Sequence, residues 1–257
     1  MKTINCLLIS LLFSLPLGAQ NDGGKKPLYV VYIGNSITQG AQLDSRQAPP
    51  VHASHYLSEQ SAIDLRGFSN QGVSGLTTVD FLPAQNTFFP KVAAAAAQFA
   101  GDRQAKLVFS VMLGTNDSAV KGPNGSPVSP VQYFTNLKTI MDELFRLYPE
   151  AIFVLHRPIW YSPNTYNGAM YLKAGLERLI SYTPELEQLV ETYAATRPNQ
   201  VFPGDAEAFE YFKANHATEL IPEEGNAGTF YLHPNASGAV RLGEFWGKAI
   251  QRAVTGI

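Results

Sequence analysis

Ser36 stands where an apolar, β-branched run, YVVYIG, breaks into the turn-prone triplet Gly34-Asn35-Ser36. A buried strand that ends on a serine leaves a hydroxyl at its carboxyl end. A helix starting there adds unpaired backbone N–H groups and partial positive charge, which favour negative charge developing on an oxygen. That placement suits a nucleophile, and it equally suits a helix N-cap. The triplet is not a GxSxG elbow, because Thr38 stands where the second glycine would be. Three other stretches carry residues able to do chemistry: NQGVSGLTT (70–78) with Gly72 and Gly75, LGTNDS (113–118) with Gly114 and Asn116, and YLHPNASG (231–238) with His233. Taken singly, each is an ordinary turn, cap or loop.

The elements that must position these residues follow from hydrophobic pattern. Apolar, β-rich runs recur at 28–33, 63–68, 106–113, 151–155 and 200–202, and helical patterns fall at 51–60, 84–100, 131–147, 168–181, 184–196 and 237–254. Strands alternating with helices indicate an α/β fold, a parallel sheet covered on both faces. In such a sheet the carboxyl ends of the strands open on the ligand crevice. The alanine-rich KVAAAAAQFA segment reads as a helix packed close to the sheet, and the longest loop, 118–130, directly follows a strand.

Composition narrows the classes further. The chain has 257 residues, 45% hydrophobic and 16% charged, with a formal net charge of −2, so it carries no basic field for nucleic acid or an anionic membrane. Residues 1–19 have one lysine, an apolar stretch broken by Pro16 and a small-residue end at Gly18-Ala19, the pattern of an export signal. The apolar run is too short for a transmembrane anchor. Cleavage after Ala19 would leave a polar leader (20–27) and one domain (28–257), exported to the periplasm or outside the cell, with no integral membrane span. Cys6, the only cysteine, lies within the signal, which excludes thiol catalysis, thiolate metal sites and disulfides from the mature chain. His52 and His55 stand three apart on one helical face, yet no HExxH pattern or acidic third ligand accompanies them, and no metal site is expected.

In their order along the chain, the four stretches resemble the SGNH/GDSL hydrolase family, over residues 29–246. The family's first block, usually Gly-Asp-Ser, matches Gly34-Asn35-Ser36 with Asn in place of Asp. Its second matches Asn70 and Gly75, its third Gly114-Thr115-Asn116-Asp117, and the block bearing the catalytic histidine matches His233. The resemblance implies a three-layer α/β/α sandwich, flavodoxin-like, around a five-stranded, mainly parallel sheet. It also implies Ser36 as nucleophile and His233 as base, with an oxyanion hole made by the N–H groups of Ser36 and Gly75 and the Asn116 amide, and no cofactor. A bare Cα at Gly75 would let substrate approach its amide closely.

One position departs from the pattern. The family usually has an aspartate three residues before the histidine, and here that residue is Phe230. Either Ser36 and His233 form a dyad, with a carbonyl or neutral group orienting the ring, or a carboxylate arrives from elsewhere. Glu223, Glu224 and Asp205 are the nearest candidates, although Asp205 also suits an N-cap and the two glutamates suit solvated loop charge. Spacing alone favours the dyad, since nothing in it fixes either glutamate beside the ring. His156, Arg157 and Trp160, just past the fourth strand, are candidate substrate contacts or packing residues. Among the family's activities, export and polar, Gly- and Pro-rich insertions favour hydrolysis of short acyl esters, chiefly O-acetyl groups on carbohydrate. The alternatives are a short-chain lipase or lysophospholipase, and an inactive carbohydrate-binding member of the fold. The expected partner is a small-molecule or glycan ester.

Overall fold

A computed structural model describes residues 24–256; the expected signal segment 1–19 and the start of the leader lie outside the described residues. Five strands, β1 (Lys26–Gly34), β2 (Ile63–Gly72), β3 (Lys106–Met112), β4 (Ile152–Leu155) and β5 (Val201–Pro203), form one sheet in the order β2-β1-β3-β4-β5. Every pairing in it is parallel, so the sheet is wholly parallel. The chain leaves β1 in one direction to β2 and returns on its other side to β3. That reversal opens a crevice at the carboxyl ends of β1 and β3.

Period-2 alternation divides the side chains between two covered faces. Tyr32 on β1 stacks on Trp246 at 6.2 Å between ring centres, and its hydroxyl meets Ser54. On the other face Tyr29 stacks on Phe99 at 4.5 Å, and Phe109 of β3 stacks on Phe153 of β4, which packs on Phe145. Helices α1 (Ser36–Gln39), α2 (Pro49–Ser58), α3 (Phe89–Ala97), α4 (Pro130–Leu147), α5 (Leu172–Ser181), α6 (Thr183–Ala194), α7 (Ala208–Glu219) and α8 (Ala236–Thr255) make the outer layers. Residues 168–171, expected to begin a helix, form a turn instead, and α5 starts at Leu172, which the turn holds at φ +57°. Helix α7 is absent from the helical patterns and is signalled only by Asp205 as a possible N-cap: Phe209 and Phe212 are its only large buried side chains, and a polar run with non-helical Asn215 follows them.

A second departure is the segment around 220–234, expected as a polar loop before the histidine. It is an antiparallel hairpin of β6 (Leu220–Gly225) and β7 (Gly228–Pro234), separate from the main sheet. The loop 162–167 anchors it: Ser162 exchanges hydrogen bonds with the Tyr231 backbone, and the Asn164 amide donates to the carbonyls of Ala227 and Thr229.

Helices α2 and α8 cross closely because α8 presents glycines at the crossing. A Cβ added at Gly243 would lie 2.5 Å from Cβ of His52 and 2.7 Å from the backbone N of Ala53. Gly243→Ala, a change that favours an isolated helix by about 1 kcal/mol, is therefore expected to destabilise this protein by about 1–3 kcal/mol through overpacking. Urea denaturation should show a lower midpoint with an unchanged slope; a midpoint at or above wild type would refute the close crossing.

Candidate active site

Asn35, not Ser36, caps the short α1: its side-chain oxygen accepts from the Ile37 N–H at 3.1 Å. Ser36 is thereby the first helical residue, and its hydroxyl is free of capping duty. The Oγ lies 2.9 Å from Nε2 of His233. On the other side of the ring, Nδ1 lies 2.8 Å from Oε1 of Glu223. A carboxylate there accepts, so Nδ1 carries the proton and Nε2 is left to accept from the serine hydroxyl. The second Glu223 oxygen accepts from the Gln42 amide at 2.8 Å. The His233 and Glu223 side chains retain only 11% and 14% of their exposure.

The neutral ring partner favoured from spacing is thus corrected: a carboxylate occupies the position. The cause is a β-bulge. Leu220 pairs with Pro234 but Pro222 with Tyr231, so Leu232 and His233 together oppose the single residue Ile221. Glu223 pairs with Phe230, and strict alternation from Phe230 would turn His233 to the opposite face; the extra residue returns it to the face of Glu223. Of the other candidate acids, Glu224 accepts from Thr229 on the exposed side of the hairpin. Asp205 caps the start of α7, accepting from the N–H groups of Glu207 and Ala208, and burial pushes its carboxyl up to about 6. Phe230, at the family's usual acid position, is buried in the core.

The second and third blocks meet beside Ser36. Asn70 ties the end of β2 to α1, donating to the Thr38 carbonyl at 2.9 Å and accepting from Gly72 N–H. Gly75 sits at φ +80°, a backbone state that side chains disfavour, and a Cβ there would meet nothing. Conformation, rather than crowding by the protein, is what calls for glycine. The Asn116 amide donates to the Leu76 carbonyl at 2.8 Å and its oxygen accepts from the Tyr171 hydroxyl at 2.6 Å. Asp117, fully buried, accepts from both the N–H and the hydroxyl of Thr78, which joins the third block to the second. Ser36, Gly75, Asn116 and His233 all line one cavity of about 680 Å³, which Asp80 and Asn124 also line.

His156, Arg157 and Trp160 are not part of it. His156 is buried, accepts at Nδ1 from the Asp205 N–H at 3.0 Å and meets Ser110 at 2.9 Å; burial lowers its pKa to about 3, so it stays neutral. The Arg157 guanidinium lies over the Phe209 ring at 3.8 Å, and Trp160, 7% exposed, packs against His216. Of the two roles expected for these side chains past β4, substrate contact or packing, their positions fit packing. Two residues the sequence did not single out, Gln42 and Tyr171, come from a turn and a loop with no distinguishing pattern. Among the described residues, no group of three or more His, Cys, Asp or Glu side chains is placed to hold a metal ion, and no helix is long and apolar enough to cross a membrane.

The family model described as GDSL-like lipase/acylhydrolase matches residues 32–241. Among solved structures, Est24, a carbohydrate acetylesterase from Sinorhizobium meliloti, is 16% identical with a TM-score of 0.57, covering 87% of this chain and 98% of its own. A catalytic mutant of Axe2, an acetylxylan esterase from Geobacillus stearothermophilus, is 17% identical with a TM-score of 0.58, covering 91% and 96%. At such identities the likeness concerns the fold. No functionally curated protein matches the sequence.

Burial raises the Asp117 carboxyl from its ordinary 3.8 to about 6, and its outer oxygen has no partner among the described residues. A raised carboxyl pKa favours the neutral form, so the stability this group contributes is full below about pH 4 and is lost as pH rises through 6. Asp117→Asn keeps the acceptor for Thr78 without the charge. Its stability relative to wild type is expected to rise by up to roughly 3 kcal/mol between pH 4 and pH 8, read from urea denaturation at the two pH values. A difference independent of pH would show that Asp117 does not titrate in this range.

Proposed function

We propose, because this chain belongs to the GDSL-like lipase/acylhydrolase family, that it is an exported serine esterase that removes short acyl groups, chiefly O-acetyl, from carbohydrate. The observation that carries the reading is the unbroken relay from Glu223 through His233 to Ser36, at 2.8 and 2.9 Å. Ser36 Oγ attacks the ester carbonyl as its proton passes to Nε2 of His233. Glu223 holds the ring in the required tautomer and stabilises the imidazolium that forms. The N–H groups of Ser36 and Gly75 and the Asn116 amide meet the charge that develops on the carbonyl oxygen. His233 then returns the proton to the departing alcohol, leaving an acyl-serine, and water activated by the same ring releases the acid. An inactive scaffold drew its support from the absent aspartate, and Glu223 removes that support.

The substrate class rests on the cavity. Its lining mixes polar side chains, Gln42, Ser74, Asp80, Asn124 and Asn167, with Leu76, Leu232, Pro123 and two alanines. Carboxamides, a hydroxyl and a carboxylate suit an alcohol part rich in hydroxyl groups and disfavour an anionic one. Leu76 and Leu232 are its only large aliphatic side chains, which suits a short acyl group better than a long chain. The fold likeness to a carbohydrate acetylesterase and an acetylxylan esterase supports the same class, and the residues 1–19 pattern supports export.

Ser36→Ala and His233→Ala should each lower kcat by about 10⁴-fold or more. Glu223→Gln should lower it on the order of 10³-fold, because the ring loses its orienting charge. Glu224→Ala should leave kcat unchanged, and a loss there equal to that of Glu223→Gln would refute the assigned acid. On p-nitrophenyl esters, kcat/KM should fall at least about tenfold from acetate to octanoate, and acetylated xylo-oligosaccharides should be deacetylated. A preference for octanoate would instead identify a lipase.

A further inference from the structure

The carboxamide of asparagine is nearly symmetric in shape, and its two orientations have opposite electrostatic meaning. With nitrogen toward the cavity it stabilises an oxyanion; with oxygen there it repels one. Something in the protein must therefore decide which end of Asn116 faces the substrate. Two contacts do so. The Leu76 carbonyl can only accept, so the nitrogen lies on that side, at 2.8 Å. The Tyr171 hydroxyl, at 2.6 Å, then faces the amide oxygen and must donate to it. An amide nitrogen has two hydrogens. One is taken by Leu76, and the other is left for the cavity that Asn116 lines.

We infer that Tyr171 is a positioning residue for the oxyanion site, its hydroxyl holding the Asn116 carboxamide with an N–H toward the substrate; the inference rests on the role proposed above for Asn116. Tyr171 is only 4% exposed, and its neighbours leave it little freedom. Its N–H and that of Leu172 both donate to the Thr165 carbonyl, at 3.2 and 3.1 Å, while Met170 and Lys121 exchange backbone hydrogen bonds with each other. The ring packs edge-on against Tyr161 at 5.4 Å, and Tyr161 in turn meets Ser118 of the third block at 2.9 Å. Leu172 is held at φ +57°, an uncommon state for leucine that persists only where the surroundings over-determine it. The strained turn and the two backbone bridges converge on a single outcome, the placement of one phenol against one amide oxygen. Burial pushes the Tyr171 pKa well above its ordinary value, so the group remains a donor at any working pH.

The test is a cycle of Tyr171→Phe, Asn116→Ala and the double variant, assayed on p-nitrophenyl acetate at pH 6.5 and 8.5. Rates are normalised by stoichiometric titration with a serine-reactive phosphonate, so that any poorly folded fraction is not counted. Asn116→Ala should lower kcat by about 10²–10³-fold. Tyr171→Phe should lower it by about tenfold, less than loss of the amide because the Leu76 contact survives. KM should stay within about twofold, and the loss should be equal at both pH values. In the Asn116→Ala background, Tyr171→Phe should cost less than about twofold more. A wild-type kcat in Tyr171→Phe, a loss confined to one pH, or a second tenfold loss in the double variant overturns the inference. An unchanged rate in Asn116→Ala overturns the oxyanion assignment and this inference together, whereas an active Tyr171→Phe beside a crippled Asn116→Ala overturns this inference alone.

Discussion

The parallel register of β1 between β2 and β3 is the constraint on which the rest of the molecule depends. Gly34 pairs with Gly72 on one side and Met112 on the other, so the three strands end together. Parallel strands require crossovers, the crossovers cover both faces, and the only exposed edge left for chemistry is the one where the strands stop. Ser36, the loop bearing Gly75 and the turn bearing Asn116 each follow one of these strand ends. Three strands of matched length bring these loops to one edge, and hydrogen bonds between the loops hold them there.

Glu223 is placed by a different logic. His233 and Glu223 sit on a hairpin outside the main sheet, ten residues apart in sequence and brought to one face by a single extra residue in β7. An aspartate three residues before the histidine would act within one turn of chain; a glutamate on the facing strand has a longer reach and a separate anchor. That anchor is shared. Gln42, two residues past the C-cap of α1, donates to the second Glu223 oxygen, so the segment that carries Ser36 also steadies Glu223. The hairpin in turn leans on the 162–167 loop, and the same stretch of chain continues to Tyr171. The Glu223–His233 pair and Asn116 are therefore braced by one excursion between β4 and α5.

Buried polar side chains carry the remaining geometry, although the hydroxyls of Thr38 and Thr115 have no partner among the described residues. Asp117, Thr78 and Asn136 form a chain in which every member but one oxygen is bonded, joining two loops that no strand pairing connects. A half-buried amide or carboxylate without such partners would cost more than it contributes. His156 shows the opposite use of the same physics, since its neutral ring fills a core position between Ser110 and the Asp205 backbone and takes no part in the cavity.

The sheet, its five strand positions, most helices and the four stretches that gather at the strand ends are legible in the residues, because hydrophobic period and turn chemistry are local properties of the chain. The sequence also carried Ser36, Gly75, Asn116 and His233, each marked by residue type at the end of a strand or ahead of a helix. Tertiary structure alone decided the rest. Whether Glu223 or Glu224 faces the ring depends on the parity of a strand, which a one-residue bulge inverts and which no spacing rule records. Asn35 rather than Ser36 caps α1, a choice settled by side-chain direction. His156, Arg157 and Trp160 lie just past a strand end, as a site residue should, yet their side chains turn inward, and that turn is fixed by packing against α7 and α8. Tyr171 reaches Asn116 across 55 residues of chain. Such a contact is set by where two loops are held in space, and space is what a linear pattern does not encode.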